Sequence, residues 1–521
     1  MSNPALNKFR GNLLLLPCIV SYFYPMKIKS FLAKPYATVI HKKIRKSMHT
    51  AVADQQAVLQ NLLKHGAATQ FGKEHHLRQV RDYESYKAAI PIRDYEAIRP
   101  YIDQIKEGKQ NVLWKGRPLY FAKTSGTTSG IKYIPISKDS IANHINTARN
   151  ALLCYMAETG NTAFADGKLI FLSGSPTLER VGGIPTGRLS GIVNHHVPKY
   201  LRSNQMPSYE TNCIEDWEEK LDKIVAETIN ENMTLISGIP PWMQMYFDWL
   251  MERSNGRKIK QLFPQLQVLV HGGVNFEPYR QKLFESIGER IDTIETFPAS
   301  EGFFAFQDTQ EQEGLLLNTD SGIFYEFIPA GEIFSDSPTR LSLADVKTGE
   351  NYALIINSNA GLWGYNIGDT VRFISLDPYR IVVTGRTKHF ISAFGEHVIA
   401  EEVEHALMQT ALKHGVQVTE FTVAPMIETT DELPYHEWFV EFEKEPEHMD
   451  LFSLDVDNAL REKNIYYNDL ISGSILQPLK IRSLRKHSFI DYMKSIGRLG
   501  GQNKTPRLSN DRKFAEELRV I

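Results

Sequence analysis

The chain has 521 residues, 42% hydrophobic and 23% charged, with 59 Lys and Arg against 61 Asp and Glu and a net charge of -2. This length exceeds what one hydrophobic core usually serves, so it predicts at least two folded units. The balanced charge gives no electrostatic reason to expect nucleic acid or an anionic membrane as the main partner. Three widely spaced cysteines, Cys18, Cys154 and Cys213, argue against a disulfide framework or a zinc site and indicate a reducing, cytoplasmic setting.

The N-terminus carries an apolar run, LLLLPCIVSYFYP, which follows Lys8 and Arg10 as the core of a secretory signal would. The run is too short to span a bilayer. It also contains prolines and leads to no small-residue cleavage site. We therefore favour a start-site extension, residues 1–25, with Met26 as the true start. An uncleaved apolar strap against the body and a working signal peptide are the alternatives.

Residues 26–47 have the pattern of a basic amphipathic helix, and residues 51–101 repeat apolar side chains at helical spacing. Beyond them, short apolar or β-branched runs alternate with helical stretches. The strand-like runs are KLIFLSG, TLISGI, LQVLVHGG and IDTIETF, and the helical ones are WEEKLDKIVAETI and PPWMQMYFDWLMERS. This alternation predicts an α/β sheet covered by helices on its faces.

From Asp320 the pattern changes to strands separated by turns: GIFYEFIP, NYALIINS, VRFISLD and RIVVTGR. These runs predict a β-rich subdomain. After Gly385 a new strand and helix series begins, with HFISAFGEHVIAEEVEHALMQT and YHEWFVEFEK. We therefore predict an α/β fold with a large N-terminal domain, residues 26–385, and a smaller α+β C-terminal domain, residues 386–521.

The stretch AKTSGTTSGIKYIPIS, residues 122–137, places hydroxyls and glycines between two strand-like segments. Such a loop offers unobstructed backbone N–H groups and hydroxyl donors, which is how proteins cradle phosphate oxygens. Lys132 adds a mobile cation. The spacing is not that of a Walker loop, because Gly126 and Gly130 are separated by three residues and the lysine follows Ile131. A flexible, hydroxyl-rich surface loop is the alternative.

Three later segments place charged residues in turns or at the domain junction. ETFPASEGFFAF ends an apolar strand at Phe297 and puts Glu301 in a small-residue turn. GYNIGDTVRF puts Asp369 in a turn, and VVTGRTKHF carries Arg386 and Lys388. Taken singly, these are also explained as a helix N-terminal charge, a turn former and a solvated linker.

In this order, and with the C-terminal GGQNKTPRL, the motifs resemble the adenylate-forming superfamily. Within it, the chain is similar to the auxin-responsive (Gretchen Hagen) acyl acid amido synthetases, specifically the bacterial members, from residue 27 to the end. The resemblance implies ATP and Mg²⁺ as cofactors and a small-molecule carboxylic acid that is activated as its adenylate. It implies an amine, typically that of an amino acid, as acceptor, and a C-terminal domain that moves between the two half-reactions.

The resemblance also implies which residues bind the nucleotide. The loop over the β- and γ-phosphates would comprise Ser125, Gly126, Thr127, Thr128, Ser129, Gly130 and Lys132. The adenine would lie along Gly272 and Gly273 and beside Phe297, with Ser300 in the same site. Asp369 would accept hydrogen bonds from the ribose hydroxyls. Asn366 departs from the pattern, because a basic residue usually precedes this Gly-Asp, and we expect weaker ATP affinity without loss of a chemical step.

Two residues carry the implied chemistry. Glu301 would hold Mg²⁺, and Lys504 would reach the active site for adenylation, while Arg386 to Lys388 would form the hinge. A carboxylate is already an anion at neutral pH, so its attack on the α-phosphorus needs alignment and charge neutralisation rather than a base. This accounts for the absence of a Ser/His/Asp signature. No residue is identified as the base for the amine.

The acyl-acid pocket is predicted from two Gly-rich segments, TGRLSGIVNHHVP and SGIPPWMQMYF. Its wall would comprise Ile192, His195, Trp242, Met245 and Tyr246. Ordinary core packing of these side chains is the alternative. An acyl-CoA ligase and a non-catalytic ATP-binding protein remain as alternative functions. We expect a cytoplasmic monomer or weak dimer with no nucleic-acid partner and no stable membrane insertion.

Overall fold

The computed structural model describes residues 28–125, 131–197, 202–387, 390–391, 398–427, 432–473, 475–499, 505–509 and 512–520. The proposed extension, residues 1–25, lies outside the described residues. The helices are α1 Ile28–Ser47, α2 Ala51–Gly66, α3 Gln70–Glu74, α4 Tyr83–Ala89, α5 Tyr95–Lys106, α6 Ile141–Thr159, α7 Leu189–Asn194, α8 Tyr209–Asn212, α9 Trp217–Thr228, α10 Pro240–Arg253, α11 Ile259–Leu262, α12 Glu277–Ile287, α13 Ala400–His414, α14 Met449–Lys463, α15 Ile465–Ser472, α16 Ser488–Ser495 and α17 Lys513–Val520.

The strands are β1 Tyr120–Ser125, β2 Ile131–Ile136, β3 Lys168–Phe171, β4 Glu179–Val181, β5 Ile184–Gly187, β6 Gln205–Met206, β7 Met233–Gly238, β8 Val268–Gly272, β9 Asp292–Ala299, β10 Gly302–Phe306, β11 Leu315–Leu317, β12 Ile323–Pro329, β13 Asn351–Ser358, β14 Tyr365–Leu376, β15 Tyr379–Arg386, β16 Phe390–Ile391, β17 Val398–Ile399, β18 Gln417–Met426, β19 Tyr435–Lys444 and β20 Lys480–Leu484.

An eleven-stranded sheet is the centre of the large domain. Its order is β12-β13-β14-β15-β11-β10-β9-β8-β7-β3-β6. Strands β6, β3, β7, β8 and β9 pair in parallel. From β9 to β12, at the other end of the order, all neighbours pair antiparallel. The direction therefore changes at the β9–β10 hairpin, where the two halves meet.

Two smaller sheets have three or four strands. One has the order β2-β1-β5-β4 and contains both strands that flank the hydroxyl loop. The other, β18-β19-β20, lies in the C-terminal domain and pairs β18 with β19 antiparallel and β19 with β20 parallel. The alternation of strands and helices expected from the sequence is thus present in both parts of the chain.

The helical region expected over residues 51–101 is divided into α2, α3, α4 and α5. Short side chains cap three of these helices: Thr69 accepts a hydrogen bond from Gly72 N, Asp82 from Ser85 N and Asp94 from Ala97 N. Such caps satisfy N–H groups that lack partners in the first turn. The prediction of helix from apolar spacing is thus confirmed, and the capping residues mark where the separate helices begin.

The parallel half of the large sheet is packed between two helical layers. Helices α9, α10 and α12 cover one face through Leu221, Tyr246 and Leu283. Helices α6 and α1 cover the other face, where Cys154 and Ala37 are buried. A separate core in the C-terminal domain joins α13 and α14 to β18 and β19. Among the described residues, no helix is long and apolar enough to cross a bilayer.

Candidate active site

Glu301 lies in the tight turn between β9 and β10, where the large sheet changes direction. Ala299 and Gly302 pair across this turn. On its far side, the Asn143 side chain of α6 accepts a hydrogen bond from Phe303 N at 2.7 Å and donates to Phe303 O at 3.1 Å. Asn143 was not identified from the sequence, because only the folded chain brings α6 against this turn.

Burial raises the pKa of Glu301. Its own backbone N–H, Lys132 and Arg386 lower that pKa, and Asp369 raises it. Glu301 is thus within electrostatic range of Lys132, Asp369 and Arg386, which come from β2, β14 and β15. Two carboxylates and two cations thus face one region of the large domain.

Asp369 lies within β14, and its predicted position in a turn is wrong. The strand continues past the Gly-Asp pair with an irregularity: its register with β13 shifts there, and Gly368 adopts a φ of +86° that an L residue rarely takes. Asp369 pairs across the ladder with Arg386, and its Oδ1 lies 2.9 Å from Arg386 Nε. Asn366 Oδ1 accepts a hydrogen bond from Gly368 N at 2.8 Å, so this side chain supports the local backbone.

Lys132 lies on β2, at the end of the hydroxyl loop. Its Nζ lies 5.7 Å from the centre of the Tyr95 ring in α5. The Tyr95 hydroxyl accepts a hydrogen bond from Tyr133 N at 2.9 Å. Helix α5 therefore braces the strand that leaves the loop, a role that the sequence did not indicate.

The predicted adenine segment lies at the carboxyl end of β8. A Cβ at Gly272 would stand 2.2 Å from Thr296 O on the neighbouring β9, so glycine is required for this close approach. Gly273 adopts a φ of +84°. Phe297 is 7% exposed and packs edge-on against Phe304 at 5.1 Å. Ser300 is buried beside Glu301.

Several predicted site residues lie outside the described residues: Gly126, Thr127, Thr128, Ser129, Gly130, Lys388 and Lys504. Ser125 is the last residue of β1, and it pairs with Ile131 of β2 across the loop. The two strand ends thus fix where the loop begins and ends.

The predicted pocket residues are divided between two cores. Ile192 is buried with the β1 and β5 residues, and Trp242 and Tyr246 are buried with α9. The Trp242 ring lies 4.7 Å from that of Trp217, and Met245 packs at the edge of the same core. His195 Nε2 lies 2.9 Å from Pro176 O. The structure does not bring the five side chains to one surface, and their role in acyl binding stays a prediction.

The C-terminal domain contacts the large domain through a cluster of charged and hydroxyl groups. Arg507 forms ion pairs with Glu404 and Glu420 and donates a hydrogen bond to the Tyr279 hydroxyl of α12 at 2.7 Å. Tyr279 in turn donates to Glu420 at 2.9 Å. The side chains of Arg507, Glu404 and Glu420 are buried or almost buried. Arg507 lies three residues after the predicted Lys504.

The donor set fits a magnesium ion that is held mainly by a nucleotide. Mg²⁺ is usually bound through one or two carboxylates together with substrate phosphates and water. Glu301 would supply one carboxylate, and no group of three or more His, Cys, Asp or Glu residues arranged for a metal occurs in the described ranges.

Three domain profiles of one family match the chain. The GH3 family N-terminal domain matches residues 40–210 and 188–291, the central domain residues 316–386, and the C-terminal domain residues 401–513. Two curated plant proteins are similar. Jasmonoyl-L-amino acid synthetase JAR4 of Nicotiana attenuata is 22% identical over 61% of this chain and 66% of its own. Indole-3-acetic acid-amido synthetase GH3.3 of Arabidopsis thaliana is 21% identical over 87% of this chain and 88% of its own.

A solved structure has the same fold. The GH3.15 acyl acid amido synthetase aligns with a TM-score of 0.74 at 16% identity, over 90% of this chain and 93% of that chain. The likeness confirms the predicted fold class, a large α/β domain followed by a smaller α+β domain.

Proposed function

The chain belongs to the GH3 family, and we propose that it is an ATP-dependent acyl acid amido synthetase. It activates a carboxylic acid as the acyl-adenylate and then transfers the acyl group to an amine, that of an amino acid. The observation that carries the proposal is the convergence of Glu301, Asp369, Lys132 and Arg386 beside the strands that hold the hydroxyl loop.

ATP would bind between the hydroxyl loop and the carboxyl edge of the parallel strands. Gly272 lets the backbone of β8 approach β9, and the adenine would lie along Gly272 and Gly273. Asp369 would accept hydrogen bonds from the ribose hydroxyls, while its ion pair with Arg386 holds the carboxylate in place. Lys132 would neutralise phosphate charge at the end of the loop.

Mg²⁺, when bound, would neutralise the phosphate oxygens, with Glu301 as its protein ligand. Burial raises the pKa of Glu301, and a bound cation would favour its ionised form. The acid substrate arrives ionised and requires only alignment with the α-phosphorus. Lys504 would stabilise the charge that develops there, and rotation at Arg386 to Lys388 would withdraw it before the amine enters.

Finer properties belong to the same proposal. The resemblance of its motifs supports a bacterial member of the family. The few cysteines support a cytoplasmic setting, and the near-neutral charge gives no reason to expect a nucleic-acid partner. A monomer or weak dimer belongs to the same proposal.

One assay tests the function. ATP/[³²P]pyrophosphate exchange is measured across a panel of carboxylic acids, and amino acids are then added for mass spectrometry of the products. We expect at least one acid to support exchange and an amide to form with AMP as co-product. Glu301→Gln should abolish exchange, while Glu311→Gln, a matched change at an exposed carboxylate, should not. A product that forms with coenzyme A but not with amino acids would identify a CoA ligase. Absence of exchange with every acid would overturn the proposal.

A further inference from the structure

Arg188 directly follows β5 and precedes the short helix α7. In the small sheet, Gly187 of β5 pairs with Ala122 of β1. Strand β1 then continues to Ser125, where the hydroxyl loop begins. Arg188 therefore lies on the flank of the strand that leads into the predicted phosphate loop.

The Arg188 side chain lies across Gly174, just past the carboxyl end of β3. A Cβ at Gly174 would stand 2.7 Å from Cδ, 3.6 Å from Nε and 3.8 Å from Nη1 of Arg188. Glycine at this position thus leaves room for the arginine to lie on the backbone. Because β3 is parallel to β7 and β8, the side chain lies at the sheet edge where open α/β sheets bind their ligands.

Among the residues that the structure describes, the guanidinium of Arg188 has no hydrogen-bond or ion-pair partner. The residue is nonetheless half-buried. Burial lowers its pKa, and the exposed Glu215 raises it without forming an ion pair. A guanidinium presents five N–H donors, and a partly desolvated cation without a partner is costly. An anion that binds there would offset this cost.

Lys220 adds a second positive charge nearby. Its side chain is 1% exposed, and Nζ donates to Ser173 O at 2.9 Å and Asn212 O at 2.7 Å. Burial lowers the pKa of Lys220 to about 8, and Arg188 lowers it as well. Since the two carbonyls occupy this ammonium group, Arg188 is the member of the pair that presents its donors to a ligand.

We propose that Arg188 binds a substrate carboxylate other than the one that is activated, and that it thereby sets the substrate class of this enzyme. The proposal rests on the proposed function. The fork of N–H donors matches a carboxylate in a bidentate arrangement. The carboxylate comes either from a dicarboxylic acyl substrate or from the α-carboxylate of the acceptor amino acid.

Three variants test the proposal. Arg188→Gln removes the charge. Gly174→Ala keeps it but displaces the side chain, because the new Cβ meets Cδ. Arg180→Gln is the control, since Arg180 is an exposed arginine on β4, the strand that pairs with β5. Circular dichroism verifies the fold of each.

The first arm measures pyrophosphate exchange, without amine, on α,ω-dicarboxylic acids and on monocarboxylic acids of equal chain length. The second arm measures amide formation with glycine and with glycinamide. Arg188→Gln should raise KM about 10- to 100-fold, the loss expected for a charged hydrogen bond. The rise should occur for the dicarboxylic acids or for glycine, and not for the matched compound that lacks the carboxylate. Gly174→Ala should shift the same KM by less, and Arg180→Gln should not shift it.

Unchanged KM ratios in both arms would overturn the role of Arg188. If the wild-type chain supports exchange with no acid, the proposed function fails, and Arg188 is then tested by melting temperature alone. Stabilisation by a dicarboxylic acid or glycine in wild type and Arg180→Gln, but not in Arg188→Gln, would support the carboxylate site. No stabilisation of the wild type would overturn it.

Discussion

Asp369 and Arg386 are cross-strand partners in β14 and β15, and their side chains meet with Oδ1 2.9 Å from Nε. Asp369 is the residue predicted to bind the ribose, and Arg386 is the first residue of the predicted hinge. A change in the orientation of the C-terminal domain would therefore begin beside the nucleotide site.

Asp369→Asn should impair nucleotide binding far more than folding. The Arg386 side chain is 49% exposed, and such ion pairs contribute about 1 kcal/mol or less to stability. The KM for ATP in pyrophosphate exchange should rise at least tenfold, with a small change in the free energy of unfolding. Asp455→Asn breaks a comparable surface pair with Lys413 and should leave that KM unchanged. Equal ATP kinetics in the two variants would remove Asp369 from the site.

Glu301→Gln should stabilise the nucleotide-free protein at neutral pH. Because burial raises the folded-state pKa above the ordinary 4.5, the native protein holds its proton more tightly than the unfolded chain. Stability from this group is therefore present at low pH and is lost as pH rises through the folded pKa. Urea unfolding at a series of pH values should show a gain for the variant near pH 7 that disappears below about pH 4. A loss of stability at pH 7 would contradict the assignment.

The hydroxyl loop is tested by Thr127→Ala and Ser129→Ala. Each should cost about 1 to 3 kcal/mol in transition-state stabilisation if its hydroxyl binds charged phosphate oxygens. The change is read from kcat/KM in pyrophosphate exchange with ATP as the varied substrate. Full activity of both variants would leave the loop as a connector.

Lys504→Ala should separate the two half-reactions. The lysine is assigned only to adenylation, so exchange should be lost while a supplied acyl-adenylate is still converted to amide.

Lys388→Pro tests the hinge, because proline fixes φ near -65° and should hold the C-terminal domain in one orientation. One half-reaction should survive in that variant. Equal loss of both, with folded domains, would count against rotation.

Tyr279→Phe should weaken the contact between the domains. The Tyr279 hydroxyl joins Arg507 to Glu420, and its removal leaves buried polar groups short of a partner, at a cost of about 1 to 3 kcal/mol. Fluorescence energy transfer between a label on each domain should then show a wider distance distribution. Tyr209→Phe, at an exposed tyrosine of α8, is the control. An unchanged distribution would show that other contacts hold the domains together.

The sequence by itself determined the architecture. Strands such as β7 and β8 are continuous apolar runs, and helices such as α10 carry apolar residues at helical spacing, so neighbours along the chain suffice to predict them. The turn at Glu301 could also be predicted from local sequence, because small residues next to the end of a strand indicate that the chain reverses direction. Motif order then gave the family.

Only the tertiary structure decided how the charges are partnered. The sequence placed Asp369 in a turn because Gly-Asp is typical of turns, but β14 continues past an irregularity at Gly368, since it pairs with β13 and β15 beyond that point. Asn143 reaches the Glu301 turn from another helix, and Arg507 meets Tyr279 from another domain. For the same reason, only the structure shows that Arg188 lacks a partner among the described residues: solvation and ion pairing depend on distances between remote segments, which no local pattern of residues contains.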